Sequence, residues 1–177
     1  MARNDIFVSA DRERVFDVLA DPRSFAHWVV GSRTIRSADD RWPEVGTAFD
    51  HSIGVWPFVI RDHSEVEAVR RPELLRLRVK GRPLGVAYVT LELRPEAGGT
   101  HVTMTETAAD RRTAALVHNG LGERLLRARN AASLRRLKAL AEGTETMPTG
   151  DLPARESAAE ASIRSASRTR RERGHGT

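Results

Sequence analysis

Val86-Ala87-Tyr88-Val89-Thr90-Leu91-Glu92-Leu93 carries Ala87, Val89, Leu91 and Leu93 on one phase and Val86, Tyr88, Thr90 and Glu92 on the other. Successive side chains of a strand point to opposite faces, so the first set faces a core and the second mostly faces water. The next run repeats the pattern, with Val102 and Met104 against His101, Thr103, Thr105 and Thr107. The run before it sets Leu75, Leu77 and Val79 against Leu74, Arg76, Arg78 and Lys80. Turn signals at Gly54, Arg71-Pro72, Gly81-Arg82-Pro83 and Ala97-Gly98-Gly99 divide Thr47 to Ala108 into five neighbouring antiparallel strands, apolar on one face and solvated on the other.

Upstream, Ile6, Phe7 and Val8 lie in a short strand over Asn4 to Ser9. Ser9 or Asp11 can cap the helix that follows, in which Val15, Phe16, Val18 and Leu19 recur at helical spacing until Asp21-Pro22 stops it. A second short helix, Pro22 to Trp28, carries Phe25 and Trp28 inward, and Arg33 to Ala38 extends after Gly31. Downstream, Arg112 to Glu142 reads as one long helix with two apolar stripes. Val117, Leu121, Leu125, Ala128 and Ala132 form one, and Leu126, Leu134, Leu137 and Ala141 the other, with arginines between them. Gly143 is placed to end the helix. This order predicts an α+β layer design, a curved antiparallel sheet wrapped around a long C-terminal helix, with two short helices after the first strand.

A chain of 177 residues with 40% apolar side chains suffices for one domain, here 1–142. The apolar fraction is slightly low because 143–177 carries almost no large apolar residue. That stretch reads as a disordered basic tail. Arg164, Arg168, Arg170, Arg171 and Arg173 stand against Glu172 alone, so most of the net +5 sits there and the remainder is close to neutral. The tail can bind nucleic acid, acidic lipid headgroups or a partner protein electrostatically, or simply solubilise the chain. No aromatic residue follows Tyr88, so it offers no platform for base stacking and no specific nucleic-acid partner is expected.

Without cysteine there is no disulfide framework, thiolate metal site or cysteine nucleophile. His27, His51, His63, His101, His118 and His175 show no close metal-ligand spacing, and no phosphate loop or nucleophile elbow occurs. Neither a metal nor a cofactor is expected. The charged N-terminus and the lack of any long apolar run predict no transmembrane segment and a cytoplasmic protein.

Several stretches together carry a family resemblance. They are Ile6-Phe7-Val8 followed by Val15-Phe16-Asp17-Val18-Leu19-Ala20-Asp21, then Trp28-Val29-Val30-Gly31, Trp42-Pro43-Glu44-Val45-Gly46, Gly99-Thr100-His101-Val102-Thr103-Met104, and Arg129 to Leu137. Over about Ala2 to Glu142 the chain resembles the polyketide cyclase/dehydrase-like branch of the START-like SRPBCC superfamily. The resemblance implies the helix-grip fold and an internal cavity for a small hydrophobic molecule. Similar members include cyclases and aromatases, lipid or quinone carriers and hormone receptors, so it implies no single activity.

Polar residues on the apolar phase are the candidates for chemistry. Glu106 continues the phase of Val102 and Met104, where a desolvated carboxyl can serve as acid or base or hold a polar ligand end. Near a strand end it can equally be exposed or salt-bridged. His51 shares its phase with Phe49 and Ile53, and Asp62 and Ser64 share theirs with Phe58, Ile60, Val66 and Ala68. A histidine beside a carboxylate can shuttle a proton in aldol cyclisation or dehydration. A bulge would instead bring Arg61, His63 and Glu65 inward. Asn130 interrupts the helix stripe between Leu126 and Leu134, pointing into the cavity or tying down a loop. The expected ligand wall comprises Trp28, Phe49, His51, Phe58, Val89, Leu91, Met104, Glu106, Leu121, Leu126 and Asn130, with Trp56 a further candidate at its mouth. The sequence thus points to a domain that holds a small hydrophobic molecule, as a cyclase or dehydratase or as a non-catalytic carrier, and leaves its oligomeric state open.

Overall fold

A computed structural model describes residues 1–55, 58–81, 85–109, 114 and 120–144, with the side chains of 33, 53–55 and 58–61 outside that description. The predicted turn at Arg82-Pro83, the helix start before Gly120, Trp56 and the side chain of Phe58 therefore lie outside it, as does the expected tail from 145 onward.

The chain begins with β1 (Ala2–Val8) and α1 (Arg12–Ala20), followed by a 3-10 turn (Pro22–Ser24) and α2 (Phe25–Trp28). Six strands follow: β2 (Ser32–Ala38), β3 (Ala48–Val55), β4 (Phe58–Arg70), β5 (Leu74–Gly81), β6 (Gly85–Glu96) and β7 (Gly99–Ala108). The last described element is α3 (Gly120–Ala141). All seven strands form one antiparallel sheet in the order β1-β7-β6-β5-β4-β3-β2. The sheet curves, and α3 lies against β1, α2 and α1.

Local chemistry explains the boundaries. Of the two predicted caps for α1, Asp11 is the one used, its carboxylate accepting the Arg14 N–H at 2.7 Å. Asp21 ends that helix and caps the next turn by accepting from Arg23 N at 2.9 Å. Gly99 opens β7 because a Cβ there would lie 2.1 Å from the Val8 carbonyl oxygen, closer than any side chain can approach. Gly54 does not break the sheet as expected: β3 continues through it to Val55.

The predicted inward phase holds on β5, β6 and β7, where Leu75, Leu77, Val89, Leu91, Leu93, Val102 and Met104 are buried. On β4 the phase survives from Asp62 to Val66, and a bulge between Val66 and Ala68 then shifts it. Val69, rather than the expected Ala68, packs on the core beyond that point.

The two helix stripes have different fates. The stripe of Leu134, Leu137 and Ala141 is buried, with Asn130, Ser133 and Leu140 beside it. Leu121 and Leu125 are 80% and 71% exposed, so Leu121 does not belong to an inner wall. The reason is angular: stepping back from Leu137 through Leu134 and Asn130 by three or four residues reaches half-buried Leu126, and Leu121 and Leu125 fall off that line.

Candidate functional site

His51 on β3 and Asp62 on β4 are register partners on the inner face, with side chains only 4% and 1% exposed. The bulge that would have turned Asp62 outward lies beyond Val66, so both groups stay inside. Asp62 Oδ1 accepts the His63 N–H at 2.7 Å, and Oδ2 stands 3.6 Å from His51 Nε2. That separation is too long for a hydrogen bond.

The electrostatics are those of two groups each held toward its neutral form, and not of an ion pair. Burial lowers His51 from 6.5 to about 4, with Asp50 opposing and Arg36, His63 and Arg129 adding to the shift. Burial raises Asp62 from 3.8 to about 6, against the His63 backbone hydrogen bond and the charge of Arg129. An ion pair would move both groups the other way. Near neutral pH the imidazole is uncharged, and the carboxyl titrates just below it. The neighbouring pair on the opposite face, Asp50 and His63, makes a direct contact of 2.9 Å between Oδ1 and Nδ1.

Around His51 the sheet carries an aromatic cluster. Phe49 lies 4.7 Å from Phe25, 4.8 Å from Trp42 and 5.1 Å from the His51 ring, centroid to centroid. Trp28 packs 5.0 Å from Phe25, and its indole N–H donates to Ser24 Oγ at 3.2 Å. Trp28 and Phe49 are therefore first of all core residues.

A second polar pair bridges sheet and helix. Asn130 Nδ2 donates to Glu106 Oε2 at 3.0 Å, so Asn130 ties α3 to β7 and not to a loop. Glu106 is half-buried, and its partner is neither solvent alone nor a cation but this amide. The loop anchor is Ser133, whose Oγ accepts the Val30 N–H at 3.0 Å.

The two polar pairs are not one constellation. Glu106 pairs in register with Val89, Val89 with Leu77, and Leu77 with Val66. Asp62 lies three strands across and four residues along from Glu106, roughly 20 Å on a flat sheet. Between them buried Leu77 and Val89 and half-buried Val79 and Ala87 form an apolar floor.

Arg129 is the residue that sequence reasoning missed. Arg124, Arg127, Arg135 and Arg136 on the same helix are exposed, whereas Arg129 is half-buried with its Nε enclosed. It lies one turn before Ser133, on the side of α3 that Ser133 fastens to Val30 just ahead of β2, and its charge acts on both His51 and Asp62. Only its place beside Asn130 sets it apart in the sequence.

Among the described residues four enclosed polar atoms on these facing surfaces have no hydrogen-bond partner, Ser32 Oγ, His51 Nδ1, Arg129 Nε and Asn130 Oδ1, and two more lie elsewhere, Asn4 Oδ1 and Arg78 Nε. Among the described residues no group of three or more histidines and carboxylates is arranged to hold a metal ion. No helix there is long and apolar enough to cross a membrane.

Comparison with known proteins fits this architecture. A family described as "Activator of Hsp90 ATPase homolog 1-like protein" matches residues 9–140. The chain belongs to that family, within the SRPBCC superfamily that its sequence resembles. Among solved structures, a Chromobacterium violaceum protein is 20% identical with a TM-score of 0.62, the match covering 79% of this chain and 96% of that one. DynU16, a protein of the dynemicin biosynthetic locus, is 20% identical with a TM-score of 0.60, covering 84% of this chain and 49% of its own. The di-domain ARO/CYC StfQ of the steffimycin biosynthetic pathway is 17% identical with a TM-score of 0.60, covering 80% and 50%. This chain thus spans about half the length of each of the last two. At these identities the likeness is one of fold. No curated protein matches the sequence.

Proposed function

We propose that this protein binds a small, largely apolar molecule between the sheet and α3. One observation carries the reading: His51 Nδ1, Arg129 Nε and Asn130 Oδ1 are enclosed and unpaired on surfaces that face one another across an apolar floor. Buried polar atoms are nearly always paired, and each one left alone costs about 1–3 kcal/mol. Three on two facing elements are explained by a guest that supplies their partners. The apolar floor accepts the rest of such a guest. Membership of the superfamily supports the same reading.

Native mass spectrometry of the full chain, gently desalted, tests it. A bound small molecule that leaves on denaturation is the expected result. An empty protein that also fails to take up any of a panel of apolar probes would overturn the reading.

A second reading, catalysis, is favoured by His51 and Asp62. An uncharged imidazole beside a carboxyl titrating near 6 can pass a proton at neutral pH, which cyclisation or dehydration of a polyketide-like chain requires. The likeness to StfQ and DynU16 makes such substrates the first to assay. If the protein is an enzyme, His51→Gln loses turnover with affinity kept. In a carrier the same change alters affinity alone. Glu106, held by Asn130 and distant from His51, serves in either case to position ligand or helix.

A further inference from the structure

We propose that Arg129, His51 and Asp62 form the receptor for a carboxylate, so that the guest is an apolar acid with its charged end under the flank of α3. This rests on the reading that an apolar molecule occupies the space between sheet and helix, and it names that molecule's chemical class.

The argument begins with Arg129. A guanidinium is charged at every accessible pH and carries five donors and no acceptor. Enclosing its Nε without a partner is unfavourable unless an acceptor arrives. Among the described residues no carboxylate comes within ion-pair distance of it, although many surface arginines here have one, such as Arg127 with Glu123 at 2.8 Å. A planar guanidinium matches a carboxylate through two parallel N–H···O contacts. A neutral guest would leave the charge uncompensated, and a cationic guest would be repelled.

A second observation points to the same place independently. The His51 side chain is almost fully enclosed, and its Nδ1 has no partner while Nε2 faces Asp62. A neutral imidazole with its proton on Nδ1 donates to an oxyanion there. Ser32, in register with Ile53 two residues along β3 from His51, adds a third enclosed and unpaired polar atom, Oγ. Arg129, His51 and Ser32 thus offer donors from α3, β3 and β2. Asn130 Oδ1, the unpaired acceptor, lies on the other flank with Glu106 and is not part of this receptor.

Asp62 gives the receptor its pH response. The charged and titratable groups acting on the pair are Asp50, Arg36, His63 and Arg129. An ionised Asp62 repels an incoming carboxylate, whereas its protonated form does not. Above the carboxyl's own titration, binding therefore takes up one proton, which Asp62 Oδ2 holds, and affinity falls as pH rises.

Calorimetric titration of the full chain with octanoate and with octan-1-ol, at pH 6 and pH 8, decides the matter. These two probes share an apolar chain and differ at the polar end. The wild type is expected to bind octanoate about tenfold more tightly than octan-1-ol at pH 6, with a smaller ratio at pH 8. Arg129→Gln is expected to bring the ratio to about one. Asp62→Asn, which keeps the shape of the protonated acid, is expected to raise the ratio at pH 8 above that of the wild type. Because that variant predicts a gain, it decides the question even if Arg129→Gln does not fold. Equal binding of both probes by the wild type would overturn the carboxylate receptor and leave the apolar-guest reading intact. Binding of neither would overturn both.

Discussion

The two ends of α3 are built on opposite terms. At its C-terminal end Leu134, Leu137 and Leu140 are buried, and the polar groups around them are paired. Arg14 donates to the Leu140 and Ala141 carbonyls at 3.3 Å each, satisfying oxygens that a helix end leaves orphaned. Lys138 donates to the Phe7 carbonyl at 2.9 Å, and the Ser9 N–H donates to Glu142 at 2.7 Å. Gly143, at a φ of 74°, closes the helix with Thr144 N–H on the Ala139 carbonyl at 2.9 Å. One turn or more upstream, Arg129 and Asn130 keep enclosed atoms without partners, and Leu121 and Leu125 face outward. The contrast separates scaffold from site. One end of the helix holds the fold together by its own contacts, while the other retains interactions that its own residues do not complete.

The largest effect belongs to the scaffold end. Leu137→Ala is expected to destabilise the protein by about 2–5 kcal/mol, read from chemical denaturation, because the side chain is fully buried on a helix that packs against α1 and β1. A loss under about 1 kcal/mol would mean that this end is as loosely packed as the other. Next comes the site end, where the sign reverses. The Asp62 carboxyl is raised in the folded state, so its contribution is favourable at low pH and is lost as pH rises through about 6. Asp62→Asn is therefore expected to stabilise the protein at pH 8 by up to about 3 kcal/mol and to have little effect at pH 4. A destabilised variant at pH 8 would show that the ionised carboxylate is satisfied and that the two ends do not differ in this way.

Between the two lies Asn130→Ala, expected to cost about 1 kcal/mol. It breaks the bond to Glu106 but also removes the unpaired Oδ1, and half-buried Glu106 can turn to water. A loss above about 3 kcal/mol would place Asn130 with the scaffold. The smallest effect is expected of Leu125→Glu, within about 0.5 kcal/mol by thermal unfolding, since the side chain faces outward. A larger loss would mean that this face is covered.

Much of the fold was legible because strands and helices announce themselves through different periods. Ala87 to Leu93 and Val102 to Met104 lie on the inner face as their alternation predicted, and Asp11, Asp21 and Gly143 end or begin helices for local reasons. The bulge after Val66 was not legible in position, because nothing in Glu67 or Ala68 marks where an extra residue enters. Nor was the choice between helix stripes, since both are apolar and only the sheet decides which is covered.

The site divides in the same way. His51 and Asp62 were identifiable as inward polar residues, because alternation alone puts each beside apolar neighbours on its own strand. That they are register partners 3.6 Å apart, each pushed toward neutrality by burial, depends on how β3 and β4 align. Glu106 looked equivalent to them by the same alternation, yet the sheet order sets it three strands from Asp62 and four from His51 and gives it to Asn130. Arg129 was one arginine among several on a helix, and its burial follows only from the flank it presents once Ser133 has been fastened to Val30. On the unbulged strands the sequence by itself determined which residues face inward, because side-chain phase is a property of each strand taken singly. Which of those residues meet was decided by tertiary structure alone, because distance between elements depends on sheet order, register and the rotation of α3, none of which is encoded within any single element.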